Sequence, residues 1–180
     1  MAQIRIMRED EAERVRDLWL QMCAEVGTPL SAASAQQILT NLKQYPALQD
    51  VRCFVAEEQQ VLIGFLTCSI SGHPVLPGRS GEIEELYVRS GPDSQIVEAE
   101  MVKQAVIFLQ TQGAGSIHTR VGIGAESPEE GERRAFWQAL GWENDMTIYS
   151  IYRNVPGNPT LQRIWNAYKT NHQTIADDPH

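Results

Sequence analysis

No stretch of this chain approaches the roughly 20 consecutive apolar residues that a helix needs to cross a bilayer. Its first residues, Met1 to Arg16, are charged throughout and lack the apolar region of a signal peptide. Basic residues are in short supply, with 15 lysines and arginines against 23 aspartates and glutamates and a net charge of −8. That deficit argues against binding to nucleic acid or an anionic membrane, both of which need a basic footprint. It leaves cationic ligands such as amines open. Cysteine is rare too: Cys23, Cys53 and Cys68 are odd in number, have no metal-ligand spacing and sit in apolar-patterned segments. Buried, reduced thiols in a cytoplasmic protein are the expectation. Internal repeats and low-complexity tracts are absent. What remains is a chain of 180 residues, 42% apolar, enough for one domain with one core.

The pattern along that chain alternates between periods of two and of 3.6. Gln3 to Met7 reads as a strand. Asp10 with Glu13 resembles a capping box, followed by Ala12, Val15, Leu18 and Met22 at helical spacing until Gly27-Thr28-Pro29. A second helix is expected from Ser34, with Gln37 in the reciprocal capping position and Ile38, Leu39 and Leu42 on one face, ending at Tyr45-Pro46. Val51 to Glu57 and Val61 to Ser69 form a hairpin turned at Glu58-Gln59-Gln60. A loop over Ser71 to Gly81 precedes the strand Glu82 to Val88. In that strand Ile83 and Leu86 are three apart, and a β-bulge would bring Ile83, Leu86 and Val88 onto one face. Val97, Met101, Ala105 and Phe108 stripe a helix closed by Gly113. Ser116 to Val121 is a strand, Arg133 to Leu140 a short helix stopped by Gly141, and Thr147 to Tyr152 a last strand. Residues 1–153 thus read as the main domain, 154–158 as a linker, and 159–180 as an amphipathic helix (Leu161, Ile164, Trp165, Tyr168) with a tail. That helix could pack on its own domain or offer a groove-binding stripe to a protein partner.

The order β-α-α-β-β-β-α-β-α-β implies an α/β (α+β) fold with a mixed sheet and helices on both faces. With Phe54-Val55-Ala56-Glu57, Ile63-Gly64-Phe65, Glu82 to Val88, the helix ending at Gly113 and Phe136 to Trp142, this order resembles the GNAT N-acetyltransferase superfamily over Ile4 to Arg153. The resemblance implies the GNAT acyl-CoA N-acyltransferase fold and acetyl-CoA as cofactor. It implies cofactor contacts at Leu86, Tyr87 and Val88 on the strand and at Ser94, Gln95, Ile96, Val97 and Glu98 on the loop and helix start. Glu82, with its strand neighbours Glu84 and Glu85, falls where some members place the base that deprotonates an amine, and such a base must have its pKa tuned towards the working pH.

Two departures from the family pattern stand out. The family's phosphate loop carries Arg or Gln, two residues, Gly, one residue, then Gly or Ala; here Asp93, Ile96 and Glu98 occupy those three places. Glycines let backbone amides approach a diphosphate, and a helix N-terminus favours an anion by about 0.3–1 kcal/mol. One carboxylate about 5 Å away, at an effective dielectric near 20, opposes it by about 3 kcal/mol. Alternatively the two carboxylates cap their own helix. The second departure is Trp137, where members often carry a Tyr that protonates the leaving thiolate, with Glu130 in place of an Asn seven residues earlier. An indole N–H is no acid near neutral pH, so Trp137 is expected to pack in the core. His73 and His118 are lone histidines, and Arg120-Val121-Gly122-Ile123-Gly124 is a glycine-rich decoy that opens no clear helix. The expectation is therefore a GNAT-like protein, weak or inactive as an acetyltransferase, acting by binding a ligand or a protein. The alternative is an active acetyl-CoA-dependent N-acetyltransferase on a small-molecule or protein amine.

Overall fold

In the computed structural model, residues 2–72, 78–120, 128–145 and 148–150 are described. The elements are β1 (Gln3–Ile6), a 3-10 turn (Glu9–Glu11), α1 (Ala12–Glu25), α2 (Ala32–Gln44), a second 3-10 turn (Tyr45–Ala47), β2 (Val51–Glu58), β3 (Val61–Gly72), β4 (Arg79–Val88), α3 (Ser94–Thr111), β5 (Ala114–Arg120), α4 (Pro128–Ala139), β6 (Glu143–Asp145) and β7 (Ile148–Ser150). They build one seven-stranded sheet in the order β1-β2-β3-β4-β5-β7-β6. Only β4 and β5 run parallel in it, joined by the α3 crossover; the other described pairs are antiparallel.

Strand alternation divides the apolar residues between two faces. On one, Phe54, Leu66, Cys68, Ile83, Leu86, Val88 and Ile117 pack beneath Met101, Val102, Ala105 and Leu109 of α3 and Trp137 of α4. On the other, Cys53, Val55, Leu62, Phe65 and Tyr87 pack beneath Val15 and Leu18 of α1 and Leu39 and Leu42 of α2. The mixed sheet with helices on both faces is as expected. All three cysteines are buried and free.

Several boundaries differ from the expectation for physical reasons. The reciprocal cap at the start of α1 is made by Glu11, not Glu13: its carboxylate accepts from the Arg8 amide at 2.9 Å. Helix α2 begins three residues earlier than expected because Ser31 is its N-cap, accepting from the Ser34 amide at 3.1 Å. Gln37 instead donates to Asn41 one turn on, at 2.9 Å. Strands β3 and β4 reach further into the expected loop, pairing as far as Gly72 with Arg79. The hairpin turn is a two-residue one, with Gln59 and Gln60 both in the left-handed region, the backbone twist that suits tight hairpins. Strand β6, three residues of END sequence, was not anticipated. The expected linker and C-terminal helix, His73, and Val121 to Gly124 lie outside the described residues. No helix among the described residues is long and apolar enough to cross a membrane.

Candidate functional site

The site begins with a register shift. Along β3 and β4, Thr67 pairs with Glu85 and Cys68 with Ile83, so Glu84 is an extra residue on β4. This bulge puts Ile83, Leu86 and Val88 together in the core beneath α3, as their spacing in the sequence suggested. It also releases Glu84 from strict alternation. The Ser69 hydroxyl donates to the Glu84 carboxylate at 2.6 Å, which brings Glu84 to the face of Ser69, the α1/α2 side. Glu85 and Glu82 project to that side as well, because they alternate with Leu86 and Ile83. All three candidate carboxylates thus share one face, with Glu84 exposed and the other two half-buried.

Beside them, β5 adds polar groups. His118 lies opposite Glu82 in the parallel ladder and Ser116 opposite Ser80. His118 Nε2 is 3.0 Å from Ser116 Oγ, which donates in turn to Ser80 Oγ at 3.4 Å. His118 is therefore no isolated histidine. Tyr45, read in the sequence only as a helix terminator, reaches this face too. Burial first, then the charges of Glu84, Cys53 and Glu85, push its hydroxyl up to about 12. On the same face Thr67 is 0% exposed, and its hydroxyl has no hydrogen-bond partner.

Among the described residues the β4–β5 ladder stops at Ile83 opposite Thr119, while β4 runs on to Val88. On its far edge β5 pairs with β7, through Arg120 and Ile148. On its other side β4 remains laddered to β3 as far as Val88 with Gly64. Leu86 and Val88 turn their side chains into the core under α3, and Tyr87 turns its ring to the opposite core.

The end of β4 is tied to α1. The Tyr87 hydroxyl donates to Glu25 at 2.9 Å, Gln21 donates to the same Glu25 oxygen at 2.9 Å, and Arg89 Nε donates to Gln21 at 3.0 Å. Burial, and then the Glu25 hydrogen bond, push the Tyr87 hydroxyl up to about 12. Arg89, the cation of the β4–α3 connection, is in this way held towards α1.

At the start of α3, the Ser94 amide donates to the Gly91 carbonyl at 3.2 Å and the Val97 amide to the Asp93 carbonyl at 3.0 Å. Helix geometry leaves the amides of Gln95 and Ile96 without an intrahelical acceptor. Asp93 is the N-cap residue, but its side chain makes no capping hydrogen bond and is exposed. Of the two outcomes weighed for Asp93, the self-capped one is not what the structure has. The Ile96 side chain is 68% exposed, Gln95 is exposed, Glu98 is half-buried with contacts of its own, and Val97 packs partly against the core. A diphosphate on these amides would meet an isoleucine side chain and a free carboxylate where a cradle needs bare backbone. The residues present do not fit that part of a coenzyme A.

Trp137 is buried at the sheet side of α4, with its ring 4.8 Å from Trp142 and 5.4 Å from Phe136, both edge to face. It packs, as its chemistry suggested.

No family model matches the chain, and no curated protein matches it. Solved structures do. An aminoglycoside N-acetyltransferase, AAC(6')-Iy, in complex with CoA superposes with a TM-score of 0.66 at 20% identity, covering 87% of this chain and 95% of that one. A Clostridium acetobutylicum protein, assigned as an acetyltransferase and solved with acetyl-CoA, gives 0.67 at 12% identity, with 86% and 96% covered. A transcriptional regulator from Bacillus halodurans C-125 gives 0.65 at 12% identity, with 88% and 99% covered. The chain has the GNAT acyl-CoA N-acyltransferase fold.

Proposed function

We propose that this protein uses the GNAT fold to bind a ligand on the carboxylate-bearing face of β4 and β5, and that it is weak or inactive as an acetyltransferase. The observation that carries this reading is the start of α3, where an exposed Ile96 and an Asp93 that makes no capping hydrogen bond accompany the amides a diphosphate would use. An anion there loses close backbone approach and meets a like charge, which outweighs what the helix terminus offers. Arg89, which could offset that charge, is engaged with Gln21.

The bulge on β4 favours a second reading, an active N-acetyltransferase that holds acetyl-CoA by its pantetheine arm alone. The acceptor would be a small-molecule or protein amine and the base one of Glu82, Glu84 and Glu85. Thermal denaturation with acetyl-CoA and CoA separates the two. A ligand at 100 times its dissociation constant adds about 2.7 kcal/mol, about 5–10 °C for a chain of this size. We expect no shift with the natural chain, and a shift when Asp93→Arg, Ile96→Gly and Glu98→Gly are combined. A clear shift with the natural chain would overturn the binding reading in favour of the enzyme.

A further inference from the structure

Strand β5 places a hydroxyl and an imidazole within reach of each other. Ser116 and His118 are two apart on the strand, so both side chains leave the same face. Ile117 between them is buried in the core beneath α3, which sends Ser116 and His118 to the opposite, α1/α2 side. Among the described residues the apolar core on that side draws on β2, β3 and the end of β4, and on no residue of β5. Ser116 and His118 are half-buried, with surface left to meet a small molecule.

The pair has the geometry of an activated hydroxyl. His118 Nε2 lies 3.0 Å from Ser116 Oγ, within the reach at which a base takes the proton of a nucleophile. The hydroxyl's other neighbour is Ser80 Oγ at 3.4 Å, beyond the usual length of an O–H···O bond. A turn about the Cβ–Oγ bond gives the hydrogen to Nε2, the nearer of the two. The ring proton then sits on Nδ1, the tautomer that a neighbouring carboxylate favours. Glu82 is the residue directly beside His118 in the parallel ladder, as Ser80 is beside Ser116. Hydroxyl, imidazole and carboxylate thus sit on two laddered strands, which hold a site more firmly than loops do.

We propose that Ser116 is a nucleophile activated by His118, with Glu82 as the positioning residue, and that together they hydrolyse small uncharged or cationic carboxylic esters. Ser116 Oγ attacks the carbonyl carbon and its proton passes to His118 Nε2. The bond from that carbon to the alcohol oxygen breaks, and the leaving alkoxide takes the proton from Nε2. Water then attacks the acyl-serine and gives a proton to Nε2. The acyl–Oγ bond breaks, the carboxylic acid leaves, and Oγ recovers the proton. One ester and one water become one acid and one alcohol, with no oxidant, reductant or cofactor. The charges of Glu82, Glu84 and Glu85 on the same face disfavour an anionic ester. This activity goes beyond the binding reading above and needs no coenzyme A.

The test incubates the full chain, without coenzyme, with p-nitrophenyl acetate and follows release of p-nitrophenolate against Ser116→Ala. Peptides of the briefly treated natural chain are mapped by mass spectrometry. A fluorophosphonate, which marks activated serines, is applied in parallel. We expect release above the Ser116→Ala level, and acetyl and phosphonyl groups on Ser116. His118→Ala should slow release about a hundredfold, the low end of what a positioned base contributes. Glu82→Gln should slow it severalfold and Glu82→Asp restore part of the loss, a rescue that lost packing alone would not show. Release unchanged in Ser116→Ala, groups found on Ser80 or on lysines but not on Ser116, or a rate unchanged in His118→Ala each overturns the proposal. Mapping on the natural chain decides even where a variant fails to fold. Coenzyme binding is read from the separate thermal denaturation, so failure of one idea is not mistaken for failure of the other.

Discussion

Glu11 is a buried charge held by two arginines. It is 1% exposed, accepts from both terminal nitrogens of Arg5 at 2.7 Å, and takes further bonds from the amide and guanidinium of Arg8 at 2.9 Å. The Arg5 hydrogen bonds lead, against the opposing effect of burial, in pulling its pKa down to about 2. A carboxylate with a depressed folded pKa stabilises the native state above its unfolded pKa of about 4.3, and that contribution fades as pH falls towards 2. The melting temperature should therefore drop between about pH 4.3 and 2, and Glu11→Gln should flatten that part of a calorimetric pH series. At pH 7 the same substitution should cost about 3 kcal/mol, at the low end for a broken buried pair, because Glu57 still holds Arg5. The sequence shows that a capping carboxylate belongs near residue 10, but not which one. Asp10, Glu11 and Glu13 all satisfy a local pattern, and the choice falls to Arg5 on the neighbouring strand, a tertiary partner that no local pattern contains. His118 is a similar case. Its partners Ser116 and Ser80 become visible only through the parallel register of β4 and β5.

Elements were legible where one strong periodicity ran through them. The bulge could be read from Ile83 and Leu86 being three apart, and α3 from its apolar stripe. The reading fell short where short-range chemistry competes. Ser31 and Ser34 are both good caps, and their hydroxyls lie 2.9 Å apart, so only the fold shows that Ser31 starts α2. Ser31→Ala should lower stability by about 1 kcal/mol, or about 2–4 °C in a melting curve. Strand β6 escaped because three polar residues carry no period, and its place comes from pairing with β7. The end of β4 is drawn tightly against β3, with Val88 opposite Gly64 and Tyr87 opposite Phe65. Gly64 is decisive there: a Cβ at that position would stand 2.7 Å from the Tyr87 carbonyl and 2.8 Å from the Val88 side chain. Gly64→Ala should force β3 and the end of β4 apart, costing about 1–3 kcal/mol as overpacking does. Chemical denaturation measures that cost, and a neutral result would show that the end of β4 yields without strain.

At the scale of the whole molecule, the sheet is a wall between two apolar cores, and the candidate carboxylates lie on its α1/α2 side, on β4. Strand β3 is laddered on both edges, to β2 and to β4, and covered on both faces, so its amides should exchange hydrogen only through global unfolding. The start of α3 is the opposite case: the amides of Gln95 and Ile96 have no intrahelical acceptor and their side chains stand in solvent. Hydrogen exchange followed residue by residue should find Phe65 to Cys68 the slowest and Gln95 to Ile96 among the fastest. Acetyl-CoA sharpens the contrast. A coenzyme whose diphosphate sat at this helix start would hydrogen-bond those two amides and slow them. A protein that has given up the diphosphate site should exchange them at the same rate with or without coenzyme. Protection confined to Leu86 to Val88 would instead mark a pantetheine arm held along the end of β4 while its phosphates remain in solvent, which is the pattern the enzymatic alternative requires.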